Sequence, residues 1–140
     1  MAALTDNRTT ASRKLGVKSE IPVAAAVTIY AGSMVMVDSA GYARPAAASV
    51  TNRGVPGVAT AKADNASGAA GAIKVEVQEG EFLFAADTLG QDDLGAIMYA
   101  DDDQTIDETQ ATNCPRVGYL AEYVSASSGW VRIGLAESRA

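Results

Sequence analysis

Turn signals punctuate this chain so closely that helical periodicity is hard to sustain anywhere along it. They are "DSAG", "TNRGVPG", "DNASGAAG", "GQDDLG", "ADDDQ" and "SASSG". The Ala-rich pieces "VAAAV" and "PAAASV" are opened by Pro22 and Pro45 and are too short to stand alone as helices. One helical turn fits near "AADTLGQDD". The rest reads as β. In "AIKVEVQEG", Ile73, Val75 and Val77 alternate with Lys74, Glu76 and Gln78, the period of a half-buried strand. "WVRIGLAES" does the same with Val131, Ile133 and Leu135. "AVTIYAG" and "SMVMVDS" are two β-rich runs broken at Gly32, and "VGYLAEYVS" is another strand. Phe82, Leu83 and Phe84 run without interruption, as in a strand covered on both faces. About seven to ten short strands at this spacing give an all-β fold, a small β-sandwich or barrel.

One design is stated twice. Gly32-Ser-Met-Val-Met-Val-Asp38 lines up with Gly95-Ala-Ile-Met-Tyr-Ala-Asp101, and the segments after each keep the same order. "GVPGVATA" precedes a loop and "IKVEV"; "PRVGYLAEY" precedes "SASSG" and "WVRIGL". The expectation is two similar β units of about 60 residues, each with an apolar face that it cannot bury alone, packed on each other.

A chain of 140 residues is one domain's worth, and the net charge of −6 is unevenly spread. Residues 1–20 carry Arg8, Arg13, Lys14 and Lys18 against Asp6 and Glu20; thereafter acidic residues outnumber basic ones about two to one. An acidic body repels nucleic acid and anionic membrane, so neither is an expected partner. Residues 1–20 read as an extended N-terminal arm, disordered when alone, and residues 21–140 as a single β domain. The arm's Arg8, Arg13, Lys14, Leu15, Val17 and Lys18 are the candidate partner contacts, suited to an acidic protein surface such as a neighbouring copy. The start lacks the order of a signal peptide, so cytoplasmic synthesis is expected.

Chemistry is thinly provided for. The chain has no His and one Cys, which removes the commonest general base, the usual Cys activator and any internal disulfide. Cys114, before Pro115, therefore reads as a half-buried loop residue. Asp101, Asp102, Asp103, Asp107 and Glu108 form the densest polar cluster, yet counting from Asp101 puts Ile106 sixth and Thr112 twelfth, which fails a calcium loop. The cluster reads as a solvated hairpin turn. Glu76, Glu79, Glu81, Asp87, Asp92 and Asp93 could supply an acid and base pair, but they fall on polar strand faces and turns, with one Trp, Trp130, to line a sugar cleft. The Gly-rich stretches lack a phosphate-loop spacing. Asn65-Ala66-Ser67 matches a glycosylation sequon, idle without secretion. No enzyme, no cofactor and no metal is expected.

The ordered set "GSMVMVDSAGYARP", "RGVPGVATA", "AIKVEVQEGEFLF", "LGQDDLGAIMYADDDQTI" and the closing "VG" and "VRI" strands, from about Ile21 to Leu135, resembles the capsid cement or decoration proteins of tailed bacteriophages. That small family was long known only as a domain of unknown function. The resemblance implies a structural virion protein on the outer surface of an icosahedral head, made in the bacterial host cytoplasm. It would bridge neighbouring major capsid proteins to stabilise the shell and act as a homo-oligomer, a dimer or trimer. The alternative is a receptor- or glycan-binding β module of a phage tail or spike, which would cluster exposed aromatics from among Tyr30, Tyr42, Tyr99, Tyr119, Tyr123 and Trp130.

Overall fold

A computed structural model describes residues 2–134, so Leu135 lies outside the described residues. The fold is all-β, as expected. In chain order the strands are β1 (Ser12–Arg13), β2 (Lys18–Pro22), β3 (Val27–Ile29), β4 (Met34–Val37), β5 (Ala43–Pro45), β6 (Gly57–Ala59) and β7 (Ala63–Asn65). They continue as β8 (Lys74–Gln78), β9 (Gly80–Ala86), β10 (Ile97–Asp102), β11 (Thr105–Asp107), β12 (Arg116–Ser125) and β13 (Ser128–Ile133). The helical turn near "AADTLGQDD" is a single 3-10 turn, Gln91–Asp93. Neither Ala-rich piece is helical: Ala24 donates its N–H to the Ala43 carbonyl, and Ala26 has φ of +58°.

The duplication is visible in the strand pairing. One sheet runs β2-β8-β6-β4-β5 and is brought round by a parallel bridge between Val23 and Ala43. The other runs β9-β11-β10-β12-β13 and closes by β13 pairing back to β9, a five-stranded barrel. Its parallel β9–β11 contact, Ile106 against Ala86, occupies the place of the Val23–Ala43 bridge. Registers agree to the residue. Val37 opposite Ala43 is matched by Ala100 opposite Ile106, both steps of 63 residues (37 to 100, 43 to 106). Ser19 opposite Val77 is matched by Phe82 opposite Val131, and Ile21 opposite Val75 by Phe84 opposite Gly129. Among the described residues, only the first unit carries an extra ribbon, β3 with β7.

Alternation along each strand decides what each face touches. On β8, Val75 and Val77 are buried while Lys74 and Glu76 face water. The first unit's core holds Val23, Ile29, Val35, Ala43, Ala59, Ala63, Val75 and Val77. On β4 the opposite face belongs elsewhere: Met34 and Met36 join the larger cluster with Phe84, Met98, Ile106, Leu120 and Val131 of the second unit. So β4 is covered on both faces, and burying each methionine stabilises the seam between the units by roughly 1.5–3 kcal/mol. Phe82 and Phe84 share one buried face of β9, while Leu83 on the other face is only half-buried, so the expected cover on both faces is incomplete there.

Candidate functional site: the arm across the seam

Residues 2–17, the expected arm, lie on their own chain. Leu4 donates its N–H to Asp103 Oδ1 at 2.9 Å. Arg8 donates its N–H to the Ala31 carbonyl at 3.0 Å, while Asn7 Oδ1 accepts from the Ala31 N–H at 3.0 Å. The Arg8 guanidinium reaches Gln104 Oε1 at 3.2 Å and stands over the Phe84 ring at 5.2 Å. Thr10 Oγ1 donates to the Gly32 carbonyl at 2.7 Å. The Leu83 N–H then donates to the Ala11 carbonyl at 3.0 Å, and β1 pairs antiparallel with β9. Ala31 and Gly32 belong to the first unit, Gln104 and Leu83 to the second, so the arm is a strap across the seam. The expected boundary after residue 20 falls inside β2, which runs from Lys18.

Gly32 shows how closely the strap is seated. Its φ of +84° suits glycine, and a Cβ there would lie 2.4 Å from the Arg8 carbonyl oxygen. Its counterpart Gly95 has φ of +83°, but a Cβ there would meet nothing within 4 Å. The same turn is thus kept in both units, and only one copy lies under the arm.

The six candidate contacts divide. Arg13 packs its guanidinium on the Trp130 ring at 4.2 Å and pairs with Glu81 at 2.8 Å and Glu122 at 3.0 Å. Its hydrogen bond to Glu81 raises its pKa further. Glu81 is buried, not on a polar strand face as expected, and also lies 3.7 Å from Lys14 Nζ. Arg8 is half-buried; desolvation lowers its pKa, opposed by Asp103. These two arginines hold the arm down. Lys14, Leu15, Val17 and Lys18 instead face water, Leu15 at 50% and Val17 at 70% exposure. The Lys14 φ of +51° and the Gly16 N–H bond to the Glu79 carbonyl, 2.8 Å, shape the bend that presents them.

The acidic hairpin between β10 and β11 is not a solvated turn. Asp103 is buried beneath the arm, its side chain accepting from Leu4 and its carbonyl from Met34 N–H at 2.9 Å. Desolvation raises its pKa, against the Leu4 hydrogen bond. Asp102, also buried, accepts from the Gln104 N–H at 2.9 Å. The outer carboxylates that come together are Asp101, Asp107 and Asp87, with oxygens within 4.8 Å of one another. Burial, then Asp107, Asp87 and Asp102, push the Asp101 pKa up to about 6. The Asp87 component was not readable from the sequence, because only the parallel β9–β11 pairing brings it there.

In the first unit the matching position behaves oppositely. Asp38 Oδ1 accepts from Ala40 and Tyr42 N–H groups at 3.0 Å, and Oδ2 pairs with Arg44 Nε at 2.8 Å. Burial works against its charge, but Arg44 and the backbone donors outweigh it and hold the pKa low. Arg44 stands where the second unit has Asp107: each is paired across the hairpin, with Met36 and Tyr99 respectively.

The remaining candidates serve structure. Asn65 is buried, donating Nδ2 to the Ala24 carbonyl at 2.9 Å and the Ala69 carbonyl at 3.0 Å, so the sequon asparagine pins a loop. Cys114 is buried beside Pro115, more deeply than expected. The two clefts described carry one aromatic apiece, Phe82 in one and Tyr99 in the other. Searches against protein-family models, curated proteins and solved structures find no match to the chain.

Proposed function

We propose that this is a structural virion protein, a capsid cement or decoration protein that binds the outer surface of an icosahedral phage head and bridges neighbouring major capsid proteins. The observation that carries the reading is the bend Lys14–Gly16, where Leu15 and the Lys14 ammonium stand out from a strap otherwise fastened to the body. A large apolar side chain beside a cation, held on a seated backbone, can bind a partner with little ordering cost. Each such contact can be weak, because repetition around a closed shell multiplies its effect. The ordered strand motifs of the sequence support the same reading. Dispersal of the aromatics favours it over a glycan-binding module: Trp130 lies under Arg13, and Lys62 stands 5.4 Å over Tyr30.

Cosedimentation with shells stripped of accessory proteins tests it. The expected result is saturable binding at a fixed ratio to the major capsid protein. Removing residues 1–20 would be a poor control, because it strips the seam and cuts β2. Leu15→Ser is better placed: the side chain is half exposed, so folding should be kept while shell binding weakens. Absence of binding to any such shell refutes the proposal.

A further inference from the structure

Repeat symmetry exposes one difference between the units that bears on assembly. On β8, the Glu76 carbonyl accepts from Thr60 N–H at 3.0 Å, so Glu76 turns its main chain toward β6. Its neighbours Val75 and Val77 therefore bond to Ile21 and Ser19 of β2. That leaves the main-chain groups of Lys18 and Glu20 on the other edge of β2. Their counterparts in the second unit are Glu81 and Leu83 of β9, at which edge the chain's own β1 is added: Arg13 lies opposite Glu81, and Leu83 N–H donates to Ala11. The molecule thus shows what this edge accepts in one unit. In the other, among the described residues, no strand covers it, and Lys18, Ser19 and Glu20 are all exposed.

The side chains name the occupant. Lys18-Ser19-Glu20 is self-complementary when two copies run antiparallel about Ser19, since each lysine then meets a glutamate. The same register makes Lys18 and Glu20 the pair that exchanges both main-chain hydrogen bonds, which is what their orientation requires. It also brings exposed Val17 across from half-buried Ile21 of the other copy. Pro22 has no N–H to offer this edge and ends the ladder there. Lysine and proline commonly protect an edge strand from pairing. The glutamate two residues from the lysine turns that protection into selectivity for a copy in this register.

We propose that two copies of the chain pair through the open edges of β2, antiparallel about Ser19, with Lys18 of each copy across from Glu20 of the other. Lys14 and Leu15 lie beyond the ladder, so shell binding and pairing are separable, and the proposal goes beyond the shell-binding reading.

Sedimentation of the purified full chain, without shells, reads the pairing as a mass rising from one to two chains with concentration. Lys18→Glu and Glu20→Lys each place like charges across the axis and should weaken the dimer about tenfold or more. Mixed together, the two variants restore the opposition and should form a heterodimer. Glu20→Pro removes the edge-facing N–H, as Pro22 lacks one, together with the carboxylate that meets Lys18, and should give a monomer with an unchanged β spectrum. Ser19→Cys should yield a disulfide-linked dimer under mild oxidation, which wild type with its buried Cys114 does not. A trimer, a monomer up to about 1 mM, or charge variants that fail to recover on mixing would overturn the proposal.

Discussion

Asp107→Arg would give the second unit the ion pair that the first unit already has. Arg44 and Asp107 hold matching positions, and so do Asp38 and Asp101. In the wild type the folded state keeps the Asp101 proton to about pH 6, while the unfolded chain releases it near 3.8. Stability from this group is therefore highest at low pH and is lost as pH climbs from about 4 to about 6. That rise corresponds to roughly 3 kcal/mol of unfavourable charge at neutral pH, and solvent screening of these partly exposed carboxylates leaves about 1 kcal/mol. Arginine removes the repulsion from Asp107 and adds a half-exposed ion pair worth roughly 0.5–1 kcal/mol. The exposed Thr109 N–H loses its Asp107 acceptor at 3.1 Å and turns to water. The expected net gain is about 1–2 kcal/mol at pH 7, or roughly 3–8 °C in Tm, and close to none at pH 3. Thermal melts at both pH values, with an NMR titration of the Asp101 carboxyl, measure it. An equal gain at both pH values, or an Asp101 pKa still near 6, would refute the reasoning.

Gly32→Ala and Gly95→Ala separate backbone strain from arm seating. Gly95→Ala should cost about 1–2 kcal/mol from its left-handed φ alone, and Gly32→Ala roughly 2 kcal/mol more as the Arg8 and Thr10 hydrogen bonds are lost; equal denaturant midpoints would show that the strap is not seated there. Arg13→Ala removes the 2.8 Å partner of buried Glu81 and should cost roughly 3 kcal/mol. It also uncovers Trp130, so tryptophan emission should shift to the red and become more accessible to quenchers.

The two-unit plan was legible because strand alternation and turn glycines are local properties, and Gly32 and Gly95 have the same conformation. The strand partners of β6 and β12 could be matched by order for the same reason. What the arm does could not be read this way. Its charges pointed to an acidic surface, but nothing local says that the nearest such surface is Glu81 and Asp103 of its own body. Burial of the "ADDDQ" turn was hidden likewise, since a run of aspartates reads as solvent-facing until a strap and the first unit cover it. Asp87 joins Asp101 and Asp107 through a parallel pairing that no single segment encodes.

The strap also sets an order of events during synthesis. Every strand paired in the first sheet lies between Lys18 and Gln78, so that unit can close while the rest of the chain is still being made. Met34 and Met36 then face outward without cover until the second unit arrives, a sticky interval for a nascent chain. The arm is made before both units yet is among the last parts to settle, because Leu4 waits for Asp103, 99 positions later. A bulky tag fused ahead of the arm would be felt in that last step, as slow closure of an otherwise folded protein.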